Sequence, residues 1–136
     1  MPRKPDSLTE QQRTRFEGLL RELYDARAAG DLERLCALFS EEAMFKISGS
    51  SDGKPIAVAA LGAGEIRSWL TVLVKAFRFA DYEIMSKILD GSRAAVHWRA
   101  DIHSRITGLS VPTQLVDLLE EREGRIVSFV ELFVPA

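Results

Sequence analysis

Residues 93–134 read RAAVHWRADIHSRITGLSVPTQLVDLLEEREGRIVSFVELFV, and the pattern in this stretch decides the fold. Apolar and polar side chains alternate along it with the period of two that is typical of extended strands. Residues 107–110 and 123–124 interrupt the alternation with the residue types of tight turns. Strands joined by such turns run antiparallel, because parallel strands need a crossover of about a dozen residues. Together with the segment before it, the stretch predicts a meander of four strands, at 79–89, 93–106, 111–122 and 125–134.

The chain before the meander has the period of helices instead. A capping box of Ser7 and Glu10 predicts the start of a long helix, and Gly30 predicts its end. Asp31 has the side chain of an N-cap for a second, short helix. Apolar residues at helical spacing predict a third helix with Trp69 on its buried side. The predicted elements are a helix over 8–29, a short helix from 31, a strand over 43–48, a loop over 48–55 and a helix over 64–77.

Three helices followed by a long-stranded antiparallel sheet predict an α+β fold in which the helices cover one face of the sheet. Long antiparallel strands twist and coil, so the sheet should bend. Helices packed in the concave face of a bent sheet make a cone, and the open end of a cone is a pocket. We therefore expect a single domain over 1–136, with a disordered tail at 1–6.

Composition excludes several classes of function. The 18 basic and 20 acidic residues are spread without a basic block, which argues against nucleic acid and anionic membranes as partners. No apolar run approaches the roughly 20 residues that span a bilayer, and the start has no secretory signal. The single cysteine, Cys36, cannot form an internal disulfide and reads as a core residue. We therefore expect a cytoplasmic protein without a metal site and without a cofactor.

Carboxylates occupy unusual positions in the last two predicted strands. Glu131 alternates with Phe129 and Phe133, and Asp117 alternates with Leu115 and Leu119, so each acid shares a strand face with apolar side chains. In the strand before them, Arg99 and Asp101 lie on the charged face, together with His97, His103 and Arg105. Same-face groups on neighbouring strands can touch, so Arg99, Asp101, Asp117 and Glu131 could line one site. The alternative is a structural pair in which Arg99 or Arg105 neutralises the inward acids, with the two histidines at the rim.

Three short motifs resemble one known superfamily. The stretch LYDARAAGDLERLCALFSEEAMF, 23–45, resembles the first two helices and the first strand of NTF2-like proteins. GAGEIRSWL, 62–70, resembles the start of their third helix, and GRIVSFVELF, 124–133, resembles their final strand. The chain is similar in particular to SnoaL-like and ketosteroid-isomerase-like members, which include isomerases, cyclases, epoxide hydrolases and non-catalytic binding proteins.

The resemblance implies partial matches to two family sites. Limonene-epoxide-hydrolase-like proteins use an Arg-x-Asp pair and a second acid, which fall on Arg99, Asp101 and Glu131, whereas their water-holding positions fall on Phe45 and Ile47.

In ketosteroid isomerases the oxyanion-hole acid matches Asp117, while the general base falls on Ile47. The oxyanion tyrosine of that family falls on Leu23, and one helical step of about 100° should turn Tyr24 away from that position.

These observations predict a protein that binds a small, largely apolar molecule carrying an oxygen function. As an enzyme it would use cofactor-free acid/base chemistry, as an isomerase, cyclase or epoxide-hydrolase-like protein, with Asp101 as proton donor, Arg99 orienting it and Glu131 as base. Asp117 would be a second acid or a hydrogen-bond donor. The expected pocket residues are Tyr24, Phe45, Ile47, Trp69, Leu115, Phe129 and Phe133.

The competing prediction is a non-catalytic ligand-binding or interaction module with the same fold, in which the charges form a structural network. In either case an apolar strand face would suit a homodimer. The expected contact residues are Val96, Trp98, Ala100 and Ile102 on one strand, with Val130 and Leu132 on the last.

Overall fold

The computed structural model describes residues 7–51 and 53–135 and has an α+β architecture. The predicted tail at 1–6, and the Ser7 side chain of the predicted capping box, lie outside the described part. The helices are α1 Ser7–Ala29, α2 Leu32–Ala37 and α3 Ala63–Ala76. The strands are β1 Phe39–Ser51, β2 Lys54–Leu61, β3 Phe77–Asp90, β4 Arg93–Ser104, β5 Ser110–Arg122 and β6 Arg125–Pro135.

The six strands form one sheet in the order β2-β1-β6-β5-β4-β3. The predicted antiparallel meander is confirmed over β3 to β6. Two features differ from the prediction: β2 exists as an edge strand, and β6 returns to pair in parallel with β1. The chain therefore places its last strand in the middle of the sheet.

Local chemistry fixes the ends of the helices. Gly30 has a φ of +66°, a left-handed conformation that favours glycine, and it ends α1. The Asp31 side chain then accepts a hydrogen bond from the backbone amide of Arg34 at 3.2 Å, so it caps α2 as predicted. The short turn between α1 and α2 brings both helices onto the same side of the sheet.

The inner face of the sheet is built from rows of residues that are register partners. One row is aromatic and aliphatic and joins Phe45, Phe129 and Leu119. The next row joins Ile47, Glu131, Asp117 and Val96 across four strands. A third row joins Gly49, Phe133, Leu115 and Trp98. Two acids therefore lie side by side in the middle of an otherwise apolar inner face.

The prediction that the charged side of β4 faces inward is wrong. Val96, Trp98 and Ala100 are buried in the core, whereas Arg99 and Asp101 lie on the outer face. The register explains why, because Val96 pairs with Asp117 and shares its face. Alternation in β4 was therefore predicted correctly, but its charged side faces away from the two acids.

Candidate functional site

A buried ion pair forms where the last turn of α1 crosses the sheet. Arg27 donates through Nη1 and Nη2 to the two carboxylate oxygens of Glu131, with an Nη2 to Oε1 distance of 3.1 Å. Its Nη1 also lies 4.0 Å from Oδ2 of Asp117. The Arg27 side chain is 11% exposed, and Asp117 and Glu131 are buried. Arg27 is thus the cation of the site, in place of the predicted Arg99 or Arg105.

Two further donors converge on one oxygen of Asp117. Tyr24 Oη donates to Oδ2 at 2.7 Å, and the indole Nε1 of Trp98 donates to the same atom at 2.8 Å. The sequence predicted that Tyr24 is turned away from the family's oxyanion-tyrosine position at Leu23. Its long side chain nevertheless reaches Asp117 from the buried face of α1. Oδ1 of Asp117 accepts no hydrogen bond from the described residues.

The two acids have opposite proton affinities. Burial, followed by the charge of Glu131 and a hydrogen bond to it, raises the pKa of Asp117 well above its ordinary value. Burial also opposes ionisation of Glu131, but the Arg27 charge and the hydrogen bonds from Asp117 and Arg27 outweigh it and lower the pKa of Glu131. The arrangement favours a neutral Asp117 carboxyl beside an ionised Glu131.

Aromatic rings hold the Arg27 guanidinium from its other sides. Its Cζ lies 4.6 Å from the centre of the Phe79 ring and 5.0 Å from that of Trp98. Cations are attracted to the faces of such rings. The Arg27 guanidinium therefore lies between the acids, the two rings and the space that α3 covers.

That space is a small cavity of about 30 Å³ between the helices and the inner sheet face. It has room for about one water molecule. Arg27 is the charged residue among its lining residues, and the rest of the wall is apolar. The lining residues are Leu23, Arg27, Gly30, Leu35, Phe39, Phe45, Ile47, Leu70, Leu73, Val74, Phe77, Phe79 and Phe129.

The predicted pocket residues divide into two groups. Phe45, Ile47 and Phe129 line the cavity. Tyr24 and Leu115 are buried beside it in the core, outside the lining.

The remaining two predicted pocket residues lie elsewhere. Trp69 is 38% exposed and lies outside the buried face of α3, so its predicted burial is wrong. The Phe133 ring packs over Gly49 so closely that a Cβ added there would lie 2.5 Å from the ring, and it covers β1 where it meets β6.

Arg99 and Asp101 do not join the acids, which corrects the predicted four-residue site. Arg99 Nη2 instead pairs with Glu83 Oε2 at 2.7 Å, and both side chains are more than half exposed. Asp101 is register partner to Pro112 on the outer side of the sheet. Because the side-chain period of a strand is two, neither residue can reach the inner face where Glu131 lies.

The other polar residues of the charged face serve local contacts. His97 hydrogen-bonds Gln114, and His103 hydrogen-bonds Ser110. The Arg105 guanidinium donates to the backbone carbonyl of Val74 at 2.6 Å, close to the end of α3. Arg105 therefore holds α3 and does not neutralise an acid.

A third buried carboxylate, Glu121, was not predicted from the sequence. Glu121 accepts hydrogen bonds from Arg15 at 3.0 Å, Gln12 at 3.2 Å and the amide of Gly124 at 3.0 Å. Burial opposes the ionised form, but these donors lower the pKa of Glu121. The cluster ties the first half of α1 to the turn between β5 and β6 and lies outside the cavity lining.

The outer face of the sheet carries an apolar patch. Leu118 and Leu132 are 42% and 43% exposed. An open groove of about 420 Å³ runs beside them, with Val130 in its wall and the register partners Arg93 and Glu120 at its edge. Val130 and Leu132 thus lie where the sequence predicted, whereas Trp98 does not.

Among the described residues, none of the helices is long and apolar enough to cross a membrane.

Comparison with known proteins supports the fold resemblance. Residues 20–129 match the model of the SnoaL-like domain family. A comparison with curated proteins found no match.

Solved structures share the architecture at low sequence identity. A candidate isomerase from Bacillus subtilis superposes with a TM-score of 0.78 at 19% identity, over 91% of this chain and 89% of that chain. An LEH-like epoxide hydrolase from M. tuberculosis has a TM-score of 0.70 at 15% identity, over 89% and 84%. A candidate polyketide cyclase from Sinorhizobium meliloti has a TM-score of 0.59 at 22% identity, over 84% and 93%. The likeness shows that the fold is NTF2-like.

Proposed function

Because this chain belongs to the SnoaL-like family, we propose that it binds a small, largely apolar molecule in the cavity between the helices and the inner sheet face. The observation that carries the proposal is the position of Arg27, a buried cation at the edge of an apolar space. Its guanidinium would donate to an oxygen atom of the ligand, and the aromatic wall would bury the rest. The cavity must widen for this, and Leu73 and Val74 of its α3 wall are only half-buried.

Native mass spectrometry of the purified protein tests the proposal directly, because a retained ligand adds a defined mass. We expect Val74→Phe, which fills the cavity from α3, to abolish retention while the fold is kept. Val72→Phe is the matched control, since Val72 lies on the same helix and is 54% exposed. Equal ligand retention by both variants would remove the cavity as the binding site.

A second candidate is an enzyme that performs acid/base chemistry without a cofactor. The observation that favours it is the adjacent pair of acids with opposed proton affinities, the pattern that general acid/base catalysis requires. In this proposal Asp117 is the proton donor and Glu131 the base, so Asp101 and Arg99 lose the roles that the sequence predicted. The names isomerase, epoxide hydrolase and polyketide cyclase belong to proteins of the same fold.

Turnover assays with small epoxides and ketones test the enzyme candidate. Asp117→Asn and Glu131→Gln should each lower kcat by at least about a hundredfold, the usual contribution of a positioned acid or base. Asp101→Asn on the outer face should leave kcat unchanged. Ligand binding without turnover across the panel would leave the binding module as the function.

We also propose that a second copy of the chain packs on the apolar patch of the outer sheet face. Leu118 and Leu132 would be buried there, and the opposite charges of Arg93 and Glu120 could pair across a twofold axis. Size-exclusion chromatography with light scattering should give a dimer, and Leu132→Lys should give a monomer. A wild-type monomer at micromolar concentration would contradict this.

A cytoplasmic location, inferred from the lone Cys36, stays a proposal.

A further inference from the structure

The charge of the buried cluster follows from its geometry. Arg27 supplies one positive charge, and the adjacent carboxyl groups of Asp117 and Glu131 could supply two negative charges. The row continues on either side with Ile47 and Val96, which are apolar. Of the other groups that face the acids, Phe79 and Trp98 carry no charge, and burial and the nearby acid raise the pKa of Tyr24, which keeps its hydroxyl neutral. Two ionised acids would leave one excess negative charge in the core, which is costly.

The hydrogen bonds indicate where a proton relieves that excess. Both donors to Asp117, Tyr24 and Trp98, bind Oδ2, whereas Oδ1 receives no hydrogen bond from the described residues. The Asp117 and Glu131 side chains also share a hydrogen bond, and because two carboxylates have no proton to donate, one of the two must be protonated. With one proton, the cluster consists of Arg27 as a cation, Glu131 as an anion and a neutral Asp117, and its net charge is zero.

We propose that this charge-neutral cluster makes the cavity select uncharged ligands with an acceptor oxygen over carboxylates of the same shape. The inference rests on the proposed binding function. A neutral carbonyl beside Arg27 adds no charge to the buried site. A carboxylate adds a negative charge that no group of the cluster balances. It therefore binds only when a proton is taken up with it, either by the ligand or by Glu131. Its affinity must therefore fall as pH rises, whereas the affinity of the neutral ligand does not.

Benzamide and benzoate are a suitable pair of probes, because they share one shape and differ in charge. The Trp69→Phe background leaves Trp98 as the single tryptophan, and its fluorescence reports on a ligand beside Arg27. At about pH 8 we expect benzamide to bind at least about tenfold more tightly, and benzoate to gain up to about tenfold per pH unit on acidification. Equal affinity at high pH would overturn the inference while leaving the proposed cavity in place.

A charge variant should reverse the preference. Asp117→Asn combined with Glu131→Gln leaves Arg27 without either anion, so benzoate should then bind more tightly than benzamide. Glu121→Gln removes the anion of the half-exposed Arg15, away from the cavity, and should leave the preference as in the parent protein. If this double variant does not fold, the wild-type comparison of the two probes decides the inference alone.

A ligand-free measurement separates failure of the inference from failure of the proposed function. Infrared spectroscopy at neutral pH should show the carbonyl band of one protonated carboxylic acid, which Asp117→Asn removes. Presence of the band without binding of either probe would reject the proposed function and keep the charge assignment. Absence of the band in the wild-type protein would overturn the neutral cluster itself.

Discussion

Helices α1 and α3 cover the same face of the sheet but are attached to it by different kinds of contact. Ionic contacts to buried carboxylates hold α1, from the half-exposed Arg15 to Glu121 and from the largely buried Arg27 to Glu131. Apolar packing of Ile66 and Leu70 holds α3. Its polar attachments lie on the surface and include the exposed Arg67–Glu33 pair and the Arg105 hydrogen bond.

The difference separates a fixed wall from a movable one. Breaking a buried ion pair leaves a charge without compensation, whereas an exposed pair contributes little to the stability of the fold. The cavity lies between the two helices, and its α3 side is formed by Leu70, Leu73 and Val74. A ligand larger than one water should therefore enter by displacing α3, while α1 keeps Arg27 in position.

The largest effect should come from removing the cation of α1. Arg27→Met should lower the free energy of unfolding by about 3–5 kcal/mol, because Glu131 stays buried without a partner. Arg67→Met makes the same substitution in α3 and should cost about 0–1 kcal/mol. Urea denaturation of the two variants measures the difference, and equal losses would remove the distinction between the helices.

The next effect is a pH dependence that comes from the acids under α1. Asp117 has a raised pKa in the folded state, so its contribution to stability is complete below the unfolded pKa of an aspartate and is lost as pH rises through the folded pKa. One such group changes the unfolding free energy by at most about 1.4 kcal/mol per pH unit.

Asp117→Asn should therefore flatten the alkaline side of the stability profile. On the acid side, Glu121 and Glu131 have lowered pKa values, so their contribution is lost as pH falls through the folded pKa. Glu121→Gln should flatten that side instead. An alkaline decline that persists in Asp117→Asn would assign that decline to other groups and contradict a raised pKa of Asp117 as its cause.

A smaller effect on stability should distinguish a buried hydrogen bond of α1 from an exposed one. Tyr24→Phe removes a buried hydrogen bond to Asp117 and should cost about 1–2 kcal/mol. Tyr82→Phe removes an exposed hydrogen bond to Asp25, of 3.0 Å, and should cost less than about 0.5 kcal/mol. Thermal unfolding of both variants tests the order, which a larger loss in Tyr82→Phe would reverse.

The smallest effect concerns the surface attachment of α3. Arg105→Ala should raise amide hydrogen exchange in α3 by about two- to fivefold, as expected for the loss of about 0.5–1 kcal/mol, and leave α1 unchanged. Arg99→Ala removes an exposed arginine on the preceding strand that does not contact α3 and serves as the control. Unchanged exchange in α3 would mean that apolar packing alone holds this helix.

Sequence periodicity predicted most of the fold and part of the site. The predicted inward orientation of Asp117 in β5 and Glu131 in β6 was correct, because these acids alternate with aromatic or aliphatic residues that are buried in the core. In β4 the prediction grouped charges with charges, although burial of Trp98 favours the opposite face and its indole N–H finds a partner in Asp117. When a strand has one charged and one apolar face, its contacts with neighbouring elements determine which face is buried.

Other features depend on contacts that are distant in the sequence. Arg27 follows the buried spacing of α1, but its partner Glu131 lies 104 positions later and is brought close only by the fold. The edge strand β2 escaped detection because Lys54 and Pro55 open it with loop chemistry, which edge strands tolerate.

The central place of β6 has a consequence for synthesis of the protein on the ribosome. Strands β1 and β2 emerge early, but β1 pairs with residues up to Phe133. Until those residues leave the ribosomal tunnel, β1 has an unpaired inner edge, and Arg27 lacks its anion. The nascent chain therefore cannot close its sheet step by step. It must hold two separate half-sheets that chaperones can bind, and then fold in a late, cooperative event when the last strand inserts between them.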